Sequence, residues 1–392
     1  MQTNNKVMIV AAEASSAAYA VKLLQYWKEH HVPIESFGAG TPEMEEYGFH
    51  RIGKSEEMAV VGAAEIISHY SFLKDVFNRL VAEAEKRRPD VVVLMDYPEF
   101  NLMLAKQLYL RGLNVVYYIS PQVWAWRKGR VNTIRKYCRK VFLLFPFEVD
   151  FYKSKGVPYE FVGHPILDDL DPKYYNQEYI DTKRSRMGIG PNDIVLGLMP
   201  GSRRLELKNH MGLQIEVARR LYKKFPQLKV VVLVAPTFSK EQVQDELENM
   251  RVPFILLKDD PLEMICITDL ILAASGTATL QIGLLKKPMV IMYKMQWLTY
   301  FFAKIFIRGV KYFGLVNLIL NKEVVPERWQ AGANADELEK CCENLIRDSN
   351  LYRETQKELG TLVQHLGDKG ATRRVAEALS EFFIKKDESS CR

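Results

Sequence analysis

Ile194-Val195-Leu196-Gly197-Leu198-Met199, followed by Pro200-Gly201-Ser202-Arg203-Arg204, is the stretch whose reading decides the fold. Its apolar run carries no polar alternation, as a strand covered on both faces requires, and such strands belong to parallel sheets. Pro200 and Gly201 end the run, and Leu213 to Phe225 reads as the helix that follows. A strand–loop–helix corner presents backbone N–H groups, and Arg203 and Arg204 add guanidiniums. Phosphate suits both kinds of donor. An ordinary corner with solvated arginines would look the same in isolation. Its place at the head of a second run of alternating strands and helices favours phosphate.

Downstream, Lys229–Val234, Phe254–Leu257, Leu270–Ala274 and Met289–Tyr293 read as further strands with helices between them, which predicts a doubly wound parallel sheet. Ser275-Gly276-Thr277 follows Ala274 and opens a helix, forming a second cradle of small residues. Neither cradle matches GxGxxG or a P-loop, which counts against a dinucleotide enzyme or an NTPase. Upstream, Lys6–Ala11, Ile34–Phe37, Pro89–Met95, Asn114–Ile119 and Val141–Phe145 predict a first sheet of the same kind. The polar stretch Asp168–Asn192 reads as the linker, and Ala335–Lys385 as charged helices before a polar tail.

Loops at the carboxyl ends of parallel strands are where such folds place chemistry. Asp96 closes the strand Pro89–Met95 and is the best general-base candidate, with Glu99 second; capping of the next helix is the plainer alternative. Glu13 and Ser15 follow the first strand, where they could be caps or ligand contacts. Trp124, Trp126 and Arg127 fall in the loop Ser120–Arg130, which suggests a stacking platform or a pocket wall. His164, between Gly163 and Pro165, reads as a ligand or hinge contact rather than a core histidine. Two aromatic or apolar stretches, Ile66–Phe77 and Gln296–Val316, are either core or surfaces that meet acyl chains and a bilayer face.

Composition sets the outer limits. A chain of 392 residues, 48% hydrophobic, is long enough for two cores. The net charge of +6 is mild and raises no expectation of nucleic acid. Five cysteines without a CxxC pair fit a reducing compartment with neither disulfide framework nor zinc site. The chain runs straight into a strand at Lys6, so no signal peptide is expected, and no apolar run reaches the ~18 residues of a membrane span.

Taken together, Ser120–Arg130, Pro200–Arg203, Ser275–Leu280 and Asp96 resemble the lipid-A-disaccharide synthases, inverting glycosyltransferases of family 19. The resemblance implies an α/β GT-B fold: two Rossmann-like, doubly wound parallel-sheet domains facing a cleft. It divides the chain into an acceptor-side domain (1–170), a UDP-sugar domain (171–345) and C-terminal helices (346–392) that pack back on the first. It implies transfer of a diacylglucosamine unit from UDP-diacylglucosamine to lipid X, with release of UDP. Asp96 would be the base and Arg203 the group that neutralises the leaving diphosphate. Ser202, Arg203, Ser275, Gly276, Thr277, Gln281, Asn317 and Gln330 would bind the donor. Glu13, Ser15, Trp124, Trp126 and Arg127 would bind the acceptor. No metal or other cofactor is implied. The setting would be the cytoplasmic face of the inner membrane, bound peripherally, with a homodimer compatible and nucleic acid not a partner.

The match is uneven. The family's first loop commonly reads Gly-Glu-Ala-Ser-Gly-Asp, whereas Ala12-Glu13-Ala14-Ser15-Ser16-Ala17 stands here, so Ala12 and Ser16 are expected to crowd the acceptor side. Gln281 stands where the family commonly has Glu. Two rivals follow: a non-catalytic, membrane-surface homologue that binds nucleotide sugar, and a UDP-sugar epimerase of the same architecture.

Overall fold

The expected strands form, and all of them pair in parallel. The computed structural model describes residues 5–58, 66–120, 129–235, 238–247, 251–258, 260–294 and 311–383. Seven strands make the first sheet: β1 Asn5–Ala11, β2 Ile34–Gly40, β3 His50–Lys54, β4 Val91–Met95, β5 Val115–Tyr118, β6 Lys140–Leu143 and β7 Tyr159–Phe161. Six make the second: β8 Ile194–Met199, β9 Leu228–Leu233, β10 Phe254–Leu257, β11 Leu270–Ala274, β12 Met289–Tyr293 and β13 Glu327–Trp329. The spatial orders are β3-β2-β1-β4-β5-β6-β7 and β10-β9-β8-β11-β12-β13. In each sheet the chain winds outward in one direction, then returns to the centre and winds the other way. The reversals fall between β1 and β4 and between β8 and β11.

Burial follows the period of two. In β1, Met8 and Val10 enter one core layer while Val7, Ile9 and Ala11 enter the opposite one, and all are fully buried. A strand covered on both faces must therefore be apolar throughout, which is the pattern read in β4 and β8.

Two compact units emerge, residues 1–168 with 366–392, and residues 169–365. The helices Ala335–Arg347 and Ser349–Leu359 stay with the second unit, whereas Ala371–Ser380 packs in the first, against the helix Ala14–Glu29. There Arg374 donates to the Val162 carbonyl at 2.8 Å, and Asp168 accepts from Gly370 N at 2.6 Å and Thr372 Oγ1 at 3.1 Å.

Several expectations change. The helix after β8 starts at Arg204, not Leu213, because Leu207, Met211, Gln214, Val217, Ala218 and Leu221 form one buried face between charged residues. The stretch Asp168–Asn192 is no linker. It folds as short helical turns and the helix Gln177–Arg186, fastened to the second unit by Lys183–Glu263 and Arg184–Asp269, both 2.7 Å. That helix has a single buried residue, Ile180, so hydrophobic periodicity could not reveal it.

The stretch Ile66–Phe77 opens a helix that runs from Ile66 to Arg87, with 59–65 outside the described residues. Val76 and Leu80 are fully buried, and Phe72, Leu73 and Phe77 pack on the same core. These side chains make core contacts, Phe72, Leu73 and Phe77 staying partly exposed; the side chains of Ile66 and Ile67 lie outside the described residues. Among the described residues, no helix is long and apolar enough to cross a membrane.

Candidate active site

Each reversal point gathers two loops at the carboxyl edge of its sheet, the place where open α/β sheets hold ligands. In the first unit Ala11 pairs with Met95, so Glu13 and Asp96 leave adjacent strands side by side. In the second, Ala273 pairs with Met199, which sets Ser202-Arg203 beside Ser275-Gly276-Thr277.

The first corner is acidic and strained. Asp96 and Tyr97 both have left-handed backbones, φ 50° and 47°. Across the strand Ile119, a β-branched residue, also lies at φ 61°. Such residues cost about 1–3 kcal/mol each and persist only where the surroundings fix them. The fixing is visible here. Asp96 N donates to the Ile119 carbonyl at 3.1 Å, while the Asp96 carbonyl accepts from Tyr117 Oη at 2.7 Å and Asn101 Nδ2 at 2.8 Å. Tyr97 Oη reaches the Met58 carbonyl at 3.1 Å. Burial, with the Glu13 carboxylate close by, pushes the Tyr97 phenol above its ordinary pKa. Glu13 is therefore near this turn. Glu99, the second candidate base, is exposed and ion-paired with Arg130.

Glu13 precedes the first turn of the helix Ala14–Glu29, and its side chain does not cap that helix. Ser15 is exposed, while Ser16 is buried and donates its hydroxyl to the Glu13 carbonyl at 2.8 Å. Ala12 is fully buried in the same core as Met8 and Val10. The two substituted positions, Ala12 and Ser16, thus point into the fold, and the expected crowding does not arise from them. Trp124, Trp126 and Arg127 lie outside the described residues.

The second corner is built from small residues and donors. Gly201 has φ +123°, and a Cβ there would lie 2.4 Å from Glu206 Oε2, so only glycine fits. Glu206 turns back from the first turn of the helix to accept Ser202 N at 3.0 Å and Arg203 N at 3.3 Å. The N–H groups expected to be open to phosphate are therefore occupied by a carboxylate. Ser202 and Arg203 are exposed, as are Gly276 and Thr277, while Ser275 and Gln281 are partly buried. A Cβ on Gly276 would meet nothing within 4 Å, so the fold itself does not demand glycine there.

Two fully buried side chains in the helix Arg204–Lys224 hold this corner, and the sequence had not marked them. His210 Nδ1 lies 2.8 Å from the Pro200 carbonyl, and Nε2 lies 3.0 Å from Lys294 N and 3.1 Å from the Lys294 carbonyl. One turn on, Gln214 Nε2 donates to the carbonyls of Met199 at 3.2 Å and Leu272 at 3.0 Å. The ends of β8, β11 and β12 are thereby tied to one helix. A polar residue recurring at four-residue spacing on an otherwise apolar helix face was the available signal.

Asn317, expected as a donor ligand, is fully buried and saturated. Its Nδ2 donates to the Val325 carbonyl at 2.7 Å and Glu327 Oε1 at 2.6 Å, and its Oδ1 accepts from Val324 N and Val325 N. It braces the loop before β13. Glu327 also accepts from Phe313 N and Gly314 N, yet burial keeps its carboxyl above the ordinary pKa. Gln330 follows β13 with φ 52°, next to Trp329, which is 40% exposed and packs against Phe313 with ring centres 4.7 Å apart and planes tilted by 37°. Of the aromatic stretch Gln296–Val316, residues 296–310 lie outside the described residues, while Tyr312 is buried.

His164 is a core histidine after all. It is 3% exposed, wedged between Tyr19 and Phe145, with Nδ1 accepting from Ile166 N at 3.2 Å. Burial, with Lys22 adding a smaller push, lowers its pKa to about 3, so it is neutral.

A chain of two such sheets recurs in solved structures. UDP-GlcNAc 2-epimerase from Neisseria meningitidis, bound to UDP-GlcNAc, superposes with a TM-score of 0.63 at 14% identity, over 96% of this chain and 100% of that one. Anabaena Alr3699/HepE in complex with UDP and glucose gives 0.57 at 13%, over 96% and 100%. At such identities the likeness shows the fold alone, and the fold is GT-B. The sequence narrows the class. The family described as lipid-A-disaccharide synthetase matches residues 7–382. The lipid-A-disaccharide synthase of Geobacter sulfurreducens is 35% identical over 98% of this chain and 99% of its own length, and that of Nitrosococcus oceani 34% over 95% and 94%. The chain belongs to the lipid-A-disaccharide synthase family, which are glycosyltransferases. Neither the epimerase nor the non-catalytic reading is favoured by these relatives.

Proposed function

We propose that the chain transfers a diacylglucosamine unit from UDP-diacylglucosamine to lipid X with inversion, releasing UDP. The observation that carries this reading is that each sheet has a reversal point with its own chemistry, carboxylates following the strands of the first and an arginine, hydroxyls and glycines following those of the second. Asp96 takes the proton from the acceptor's primary hydroxyl as oxygen attacks the sugar carbon. Negative charge then grows on the departing diphosphate, where Arg203 and the Ser275-Gly276-Thr277 loop stabilise it, with Ser202 beside them. Gln281 and Gln330 bind the rest of the donor. Asn317 serves this side through the loop it braces rather than by direct contact. Glu13 and Ser15, with Trp124, Trp126 and Arg127, hold the acceptor. Both substrates carry acyl chains, so the enzyme works at the cytoplasmic face of the inner membrane, bound to its surface.

The test is UDP release. UDP should form only when UDP-diacylglucosamine and lipid X are both present. Turnover of UDP-GlcNAc without a lipid acceptor would favour an epimerase instead, and no turnover of either would favour the non-catalytic homologue.

A further inference from the structure

The turn that presents Asp96 carries more bracing than a strand end needs. Its two consecutive left-handed residues, neither of them glycine, share a single peptide carbonyl, that of Asp96. Two buried side chains converge on that oxygen, Tyr117 Oη at 2.7 Å and Asn101 Nδ2 at 2.8 Å. Tyr117 belongs to β5, the neighbour of β4, and has no exposure; Asn101 belongs to the helix Pro98–Leu110 and has none either. The Asn101 amide also donates to the Met95 carbonyl at 3.1 Å, so its nitrogen has to face the turn, since two carbonyls can accept only from N–H.

We propose that Tyr117 and Asn101 are positioning residues for the transfer reaction, locking the Asp96 peptide so that the carboxylate points at the acceptor hydroxyl. Without them the backbone at Asp96 can relax toward the ordinary extended region, and the side chain swings with it. This inference rests on Asp96 being the base. Neither residue needs to touch a substrate, and both act through one oxygen atom. Tyr117→Phe deletes one hydroxyl while the carbonyl keeps its bond to Asn101, so the fold survives. Asn101→Ala is the second variant and leaves the tyrosine bond in place.

The experiment is a double-variant cycle on the full chain, using radiolabelled UDP-diacylglucosamine and lipid X in mixed micelles, with thermal melts alongside. Tyr117→Phe should lower kcat about 10- to 100-fold, the scale of a misaimed catalytic group, with KM for both substrates unchanged. In an Asp96→Asn background the same change should cost less than about twofold, because the group being aimed is already disabled. Asn101→Ala should behave in the same way. An equal loss in both backgrounds overturns the inference, since the hydroxyl would then serve the fold at large. A wild-type rate for Tyr117→Phe overturns it too. If Asp96→Asn itself runs near the wild-type rate, the assignment of the base fails first, and the cycle reports that separately.

Discussion

The two reversal points share a topology and differ in chemistry. At β1/β4 the loops carry Glu13 and Asp96, and the turn is held by side chains that bond a strained backbone. At β8/β11 the loops are small and exposed, and the sheet ends are held from behind by His210 and Gln214. In the proposed reaction one corner aims a single carboxylate, and the other offers exposed Ser202, Arg203 and Thr277. A glycosyl transfer needs both, because it must remove a proton from an incoming oxygen and stabilise charge on a leaving one. The same strand order underlies both corners, and the loop residues give each its different chemistry.

The comparison breaks most severely at Asp96. Asp96→Asn should lower kcat by about 10²–10⁴, the usual range for a lost general base, with the melt unchanged. A variant that retains most of its rate would shift the role elsewhere. Glu99, ion-paired with Arg130, would then have to be tested.

Arg203→Ala tests the opposite corner. Removing a donor to developing charge should cost about 10²–10³ in rate, and UDP affinity should fall as well. Isothermal titration with UDP separates the two effects. If UDP binds as before and the rate holds, the second corner is not the phosphate site.

How far the sequence led depends on how each element earns its burial. Strands buried on both faces, such as Val91–Met95 and Ile194–Met199, announce themselves as apolar runs, and the loops after them follow directly. Three of the four edge strands do not. β3, β7 and β13 are short and partly exposed, with residues such as His50, Glu160 and Arg328, and their place is fixed only by pairing with a neighbour. Asp96 and Arg203 could be named as candidates because chemistry at a strand's carboxyl end needs an ionisable group there. Tyr117, Asn101, His210 and Gln214 were not, since each looks like one polar residue in an apolar element until its partners come together in space. Asn317 and His164 show the converse error. The resemblance made Asn317 a donor ligand and the loop position made His164 a ligand or hinge contact, and the polar groups of both are consumed by the fold.

The units should also differ in their response to acid. His164 sits in the first unit with a pKa near 3, far below the ordinary value of 6.5. The unfolded chain therefore binds a proton that the folded chain refuses. Stability is fully present above pH 6.5 and falls as the pH drops from there toward 3. Between pH 7 and pH 5 this histidine should remove about 2 kcal/mol, given ~1.4 kcal/mol per unit. His164→Asn keeps an acceptor for Ile166 N and cannot be protonated in this range. Urea titrations at the two pH values, read by hydrogen exchange in β1 and β8, should show the loss confined to the first unit and smaller in the variant. Equal losses in both units would remove His164 as the cause.

The smallest effect concerns the carboxylate in the phosphate corner. Glu206 accepts the N–H groups of Ser202 and Arg203, which makes it both a cap for the helix Arg204–Lys224 and a negative charge where a diphosphate is proposed to sit. Glu206→Gln separates these roles. The amide oxygen still accepts an N–H, though more weakly than a carboxylate, so the helix should lose no more than about 1 kcal/mol, at the lower end for a damaged cap. Removing the charge should relieve repulsion of the diphosphate. Two unit charges about 7 Å apart near water interact by about 0.6 kcal/mol, so UDP should bind roughly threefold tighter in low salt. The gain should fade at high ionic strength, where such terms are screened. Weaker binding in the variant would mean that Glu206 holds Arg203 in its working position. The second corner would then be braced by its own carboxylate, and the contrast with the Asp96 turn would narrow.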